Sequence, residues 1–332
     1  MWPLKWARTW KWENFWFCYA IFSLILMPFG LAFSVLPHLG HVYASLSTHD
    51  LMLPFLLGCL WGFAQLGAGI CVSHLGLSIG SAVLNGIGAA VGTIIPLFSL
   101  HSEQAFQASG LLILAGIAMM VLGVVCCGWS GYLRESEARE RGAGAGFAKK
   151  EVAMRQSSYS GSAYLAVIGV AVASGVLASL TNIALAYSGA ITRAVQLEGG
   201  RSYWAPFAVW PIVFLGGSIA NIGYAVYLMT KNKTWSRLTT AISEPFYPLL
   251  AACLWMGGIA LYSSGTTFLG SLGVSVGFAV FMISMILSGQ FAAIFTGEWK
   301  LISQRTYAVS IAGVGLLVIA VVVIGLSRSF GS

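Results

Sequence analysis

Few side chains in this chain of 332 residues could do chemistry inside an apolar environment, and those few are amides and indoles. Gln65, Asn85, Asn182 and Asn221 each lie within a long apolar run, and Gln290 lies near the end of another. An amide offers both a donor and an acceptor, the pairing that a neutral hydroxylated solute requires in a mostly apolar pocket. Left uncompensated in hydrocarbon, an amide is costly, so each must face the interior of a helix bundle. There it either binds a solute or holds helices together. Trp61 and Trp255 present flat faces on which a sugar-like ring could stack, or they anchor the chain at the headgroup layer. The candidate substrate-binding residues are therefore Gln65, Asn85, Asn221, Trp61, Trp255 and Asn182.

Proton coupling calls for a carboxylate or histidine within the membrane, and none lies in the middle of an apolar run. The nearest are Glu13 just before the first run, His74 between the second and third, and Glu298 after the eighth. The plainer alternative for each is a solvated helix-end carboxylate or a turn histidine. His38, His41, His49 and His101 are too scattered to suggest a metal site. Six cysteines (Cys18, Cys59, Cys71, Cys126, Cys127, Cys253) all fall inside apolar runs without ligand spacing and read as packing residues. No catalytic residue, metal or cofactor is expected. An integral-membrane enzyme, the rival class, would need carboxylates, histidines or cysteines gathered at one face.

The elements that must position these side chains follow from composition. Only 8% of residues are charged against 58% hydrophobic, and the mean hydropathy is +0.84. A soluble domain carries roughly 25% charged residues. Nine apolar runs, at 15–36, 51–71, 79–100, 109–132, 163–187, 205–230, 246–264, 272–296 and 307–327, are each about 20 residues or longer, enough to span a bilayer as a helix. The fold class is an all-α membrane protein, a polytopic bundle with nine visible transmembrane helices. Trp2, Trp6, Trp10, Trp12 and Trp16 surround the first basic segment as an interfacial belt.

Orientation follows from the 17 lysines and arginines. Fourteen lie before the first run, in 133–162, in 231–245 and in 297–306, whereas only Arg193, Arg201 and Arg328 lie on the other face. The positive-inside rule puts the fourteen in the cytoplasm, so the net charge of +7 reflects topology and not a nucleic-acid partner. A multi-pass protein of the bacterial inner membrane is expected. Its oligomeric state is left open.

The chain echoes itself. Cys59-Leu60-Trp61 matches Cys253-Leu254-Trp255, and Gly76-Leu77-Ser78-Ile79-Gly80-Ser81-Ala82-Val83 matches Gly273-Val274-Ser275-Val276-Gly277-Phe278-Ala279-Val280. The related runs are the second and seventh, and the third and eighth. A separation of five helices inverts one copy relative to the other, as in many secondary transporters. The expected organisation is a first repeat half over 1–132, a cytoplasmic linker over 133–162 and a second half over 163–332. Two five-helix repeats require ten helices, so a further helix is expected ahead of Met1. Gly76, Gly80, Gly88 and Gly92 form a small-residue stripe on the third run that would allow close packing.

Several stretches together resemble the L-rhamnose–proton symporter family of the drug/metabolite transporter superfamily. They are Lys11-Trp12-Glu13, Leu60-Trp61-Gly62-Phe63, Leu75-Gly76-Leu77-Ser78-Ile79-Gly80 and Val91-Gly92-Thr93 in the first half. In the second half they are Gly216-Gly217-Ser218-Ile219-Ala220-Asn221-Ile222-Gly223 and Glu298-Trp299. The resemblance implies ten helices with both termini outside, and uptake of L-rhamnose or a related sugar coupled to a proton, or to sodium. Where the family has an acidic, aromatic-rich stretch before the penultimate helix, this chain reads Gly273-Val274-Ser275-Val276. A drug or metabolite exporter and a lipid-carrier flippase of the same superfamily are the alternatives. Reporter fusions within 133–162 should report cytoplasm and fusions within 37–50 the exterior; the reverse pattern would overturn the orientation and the repeat with it.

Overall fold

A computed structural model describes residues 9–75, 77–140, 161–239, 243–295 and 302–330. Regular structure among them is entirely helical. Among the described residues nine helices are long and apolar enough to cross a membrane: α1 (Trp12–Val35), α2 (Thr48–Cys71), α3 (Ile79–Leu100), α4 (Ala108–Arg134), α5 (Leu165–Leu197), α6 (Ala205–Lys231), α7 (Phe246–Thr267), α8 (Gly273–Phe291) and α9 (Gln304–Leu326). Each falls on one of the nine expected runs. The polypeptide is thus an all-α, multi-pass membrane protein.

Three helices depart from the simple apolar pattern, each for a local reason. The first widens into a π turn over Ile21–Leu26, immediately before Pro28, whose ring and missing N–H disrupt regular α geometry in the preceding turn. The helix that contains α4 runs from Ala108 to Glu140, past the apolar stretch ending at 132. Its charged extension is anchored, because the Glu137 carboxylate accepts the Ser303 N–H at 2.7 Å and the Ser303 and Thr306 hydroxyls at 2.6 and 2.5 Å. A carboxylate is favourably placed there, at the N-terminus of α9. Residues 141–160 of the expected linker lie outside the described residues. The fifth helix, expected as one span, is broken into Gly161–Ala178, Leu180–Tyr187 and Gly189–Leu197. The breaks coincide with Ser179 and Ser188, whose hydroxyls donate to the Val176 and Ala184 carbonyls at 2.6 Å each, a side-chain bond that competes with the helical ladder.

The helices sort into two compact units, Met1–Leu66 with Leu180–Phe268 and Gly67–Ser179 with Leu269–Ser332. Each unit draws on both halves of the chain. In the first unit α1 packs on α6 and α7, and α2 approaches α6 backbone to backbone. A Cβ on Gly58 would stand 1.9 Å from the Val213 carbonyl oxygen, and one on Gly216 would stand 2.2 Å from that of Phe55. Gly62 faces Gly217 in the same way, one turn along, at 2.7 Å. In the second unit α4 packs on α3 and α9, and α3 also packs on α8 and on the first part of α5. The stripe on α3 is used there: Gly92 lies against the Phe278 ring and Gly88 against the Gly175 carbonyl. Gly76 lies outside the described residues.

Without water in hydrocarbon, helix association rests on such van der Waals fit. Gly58→Ala should therefore force α2 and α6 apart at a cost of about 1–3 kcal/mol or more. Gly30, whose Cβ position is open, should tolerate alanine. Thermal unfolding of the detergent-solubilised variants measures the contrast, and equal melting temperatures would refute the α2–α6 contact.

Candidate functional site

An aromatic cluster occupies the first unit. Trp61 of α2 stacks on Trp255 of α7, with ring centroids 6.4 Å apart and planes 19° apart. Phe214 of α6 packs against both, at 5.6 and 5.0 Å, and stacks on Trp210 one turn earlier at 5.1 Å. Trp210 in turn meets Tyr262 of α7 at 6.4 Å, and the Tyr262 hydroxyl donates to the Asn182 side-chain oxygen. Trp61, Trp210, Phe214, Tyr262 and Asn182 are all buried and Trp255 is half-buried. The two matching tryptophans thus face inward and touch each other. The buried Trp210 indole N–H has no hydrogen-bond partner among the described residues, an exception among buried donors. Spacing could not have pointed to Trp210, because its contact with Tyr262 comes from another helix.

The remaining amides have different surroundings. Asn221 is buried on α6, where its oxygen accepts the Trp16 indole N–H at 3.1 Å and its nitrogen donates to the Gly217 carbonyl at 2.9 Å. It ties α1 to α6 beside the glycine contact, which is the behaviour of a helix-linking amide. Trp16, expected as a belt residue, is therefore also a structural donor. Gln65 is half-buried on α2, four residues after Trp61 and so on the same helix face.

Asn85 belongs to the second unit. With Ser81 it lines a partly open cavity of about 280 Å³ whose other lining residues come from α4 and α8. Cys127, Gly128 and Gly131 of α4 leave the space open, and Gln290 of α8 adds a second amide. Val124, Met285 and Ile286 supply apolar wall, and Arg134 contributes the one charged side chain. Gln290 carried a signal in the sequence, as one of the few amides near membrane depth.

The acidic and histidine candidates divide clearly. Glu13 is 5% exposed, and its carboxylate accepts the Asn232 amide N–H at 3.0 Å and the Thr234 hydroxyl at 3.1 Å. His74 sits within the last turn of the helix Thr48–Leu75, with its Nδ1 2.8 Å from the Ile70 carbonyl oxygen. Glu298 lies outside the described residues. No group of three or more metal-ligating side chains occurs among the described residues. His101, just beyond α3, is held below the usual imidazole range by desolvation.

The family model for L-rhamnose-proton symport protein matches residues 1–329. An L-rhamnose-proton symporter of Mannheimia succiniciproducens is 24% identical over 340 residues, covering 98% of this chain and 93% of the relative. L-rhamnose-proton symporters of Pectobacterium atrosepticum and Yersinia pestis are 22% identical over 336 residues, with the same coverage. No solved structure matches the chain.

The Trp16–Asn221 bond yields a direct test. Trp16→Phe keeps the ring and strands the buried Asn221 oxygen, which should cost about 1–3 kcal/mol. Adding Asn221→Leu removes the stranded group and should recover part of that loss. Thermal unfolding of the single and double variants measures the coupling, and strictly additive losses would show that the two side chains are independent.

Proposed function

The chain belongs to the L-rhamnose-proton symport family, and from that premise we propose that it takes up L-rhamnose or a closely related deoxyhexose together with a proton. Its family is one of secondary transporters, so the protein is a transporter and not an enzyme. The cavity between α3, α4 and α8 carries the proposal for the substrate. Two amides and a hydroxyl on Asn85, Gln290 and Ser81 share it with Val124, Met285 and Ile286. A 6-deoxy sugar has the matching character, with hydroxyls around the ring and one methyl group. At about 280 Å³ the cavity is at the small end of the roughly 300–1,000 Å³ usual for ligand sites, as suits a single monosaccharide. The stacked pair Trp61 and Trp255, with Gln65, Asn182 and Asn221 on the same unit, forms the second group of proposed substrate-side residues. Glu13, His74 and Glu298 are the proposed coupling groups.

The halves 1–132 and 163–332 act, on this reading, as inverted repeats joined by the linker 133–162. Support comes from which helices pack together. Within the units α1 packs on α6, α3 on α8 and α4 on α9, and α2 meets α7 through Trp61 and Trp255. Every pair consists of helices five apart, the spacing of the sequence echo. Inverted repeats of this kind fit transport by alternating access.

Uptake by the purified protein in liposomes tests the assignment. Loss of a hydrogen bond to a sugar hydroxyl costs roughly 0.5–1.5 kcal/mol, or up to about 3 if a partner is stranded. Asn85→Ala and Gln290→Ala should each raise the KM for L-rhamnose by about three- to a hundred-fold with normal yield of folded protein. Unchanged KM in both would remove the cavity as the substrate site. Absence of rhamnose counterflow by the unaltered protein would remove the substrate itself.

A further inference from the structure

The segment entering α1 is sewn to the connection between α6 and α7 by a set of hydrogen bonds spanning more than 200 residues of sequence. Besides the two bonds to Glu13, the Asn14 amide donates to the Thr234 carbonyl at 2.9 Å. Glu244, 3% exposed, accepts the Thr9 N–H and hydroxyl at 3.0 and 2.9 Å. Arg237 donates to the Thr9 carbonyl at 2.7 Å. All these groups lie on the face that the charge bias assigns to the cytoplasm.

Glu13 stands apart within this set. It is an almost fully buried carboxylate whose partners, Asn232 and Thr234, are both neutral. The charged groups on the elements around it are engaged or directed elsewhere. Lys231 of α6 lies over the Tyr227 ring at 5.7 Å, Arg237 and Glu244 hold Thr9, and Lys233 is exposed. Lys11, two residues earlier, acts on Glu13 through space. A buried carboxylate in an ion pair cannot gain a proton without stranding its cation, and among the described residues no cation forms an ion pair with Glu13. When ionised it accepts both neutral donors strongly; when protonated it accepts them only weakly, through its carbonyl oxygen, and the connection loosens. One turn further along α1, Trp16 bonds Asn221 beside the α2–α6 contact, so a change at Glu13 bears on the packing of the whole unit.

We propose that Glu13 is the carboxyl group from which the co-transported proton leaves on the cytoplasmic side, and that Asn232 and Thr234 form the latch which closes on the resulting carboxylate. The proton passes from the carboxyl O–H to cytoplasmic water, and the carboxylate oxygen then accepts the amide N–H and the hydroxyl. The inference rests on the symport reading above.

Two variants in liposomes test it. Glu13→Gln keeps an acceptor for Asn232 and Thr234 but cannot ionise. Rhamnose should then equilibrate across the membrane, while accumulation driven by a pH gradient falls by about tenfold or more, equivalent to about 1.4 kcal/mol of lost coupling. Asn232→Leu removes a donor that favours the ionised form, so the carboxyl group holds its proton more firmly and releases it only at higher pH. The pH of half-maximal uptake should rise by about one unit, a change that a purely structural role would not produce. Undiminished accumulation by Glu13→Gln, or an unshifted pH profile for Asn232→Leu, overturns the assignment. Should Glu13→Gln fail to fold, the pH profile of Asn232→Leu decides. Should the unaltered protein fail to exchange rhamnose, the substrate reading falls, and the carboxylic C=O infrared band that appears on acidification decides for Glu13. Its loss in Glu13→Gln supports the proton site and its persistence overturns it.

Discussion

In the hydrocarbon layer no water arrives to satisfy a stray amide, indole or carboxyl group, and each polar group at depth must find its partner within the protein. That constraint organises the first unit. Asn221 takes the Trp16 indole N–H and gives its own N–H to the Gly217 carbonyl. Asn182 accepts the Tyr262 hydroxyl, and Glu13 accepts Asn232 and Thr234. The bonds from Trp16 to Asn221, from Tyr262 to Asn182 and from Asn232 and Thr234 to Glu13 join segments far apart in sequence, so satisfying one polar group also fixes where two segments meet.

Fit between the helices depends on the same economy of volume. Gly58 and Gly62 of α2 meet Gly216 and Gly217 of α6 so closely that a methyl group cannot enter at Gly58 or Gly216. This approach brings Trp61 against Phe214 and Trp255. In the second unit small residues on α4 have the opposite effect. Cys127, Gly128 and Gly131 leave unfilled volume beside Asn85 and Gln290, so similar residue types produce close contact in one place and a cavity in another.

Glu13, Glu137 and Glu244 each tie a helix end to a segment that is distant in sequence, and all three belong to the face with the excess of lysine and arginine. Glu137 meets the N-terminus of α9, where the helix dipole favours it. Glu13 is held by neutral donors, the feature on which the proposed proton release rests.

The sequence by itself determined the nine spanning helices and the class of protein, because the length and apolarity of each run leave a helix as the only conformation that satisfies its backbone in lipid. It also contained the correspondence of Trp61 with Trp255, since the repeated Cys-Leu-Trp marks matching positions and the rings do stack. The few amides at depth could be named from the sequence, but their surroundings could not. Asn221 and Asn85 read alike along the chain, yet one is bonded to Trp16 and Gly217 while the other lines a cavity. The break in α5 at Ser179, the helical extension to Glu140 and the burial of Glu13 were likewise decided by tertiary structure. Each depends on hydrogen bonds or packing volumes supplied locally in three dimensions, in the case of Glu13 by residues about 220 positions away. Apolar periodicity records which segments enter the membrane, whereas the partner of a given polar group is settled only when the helices pack.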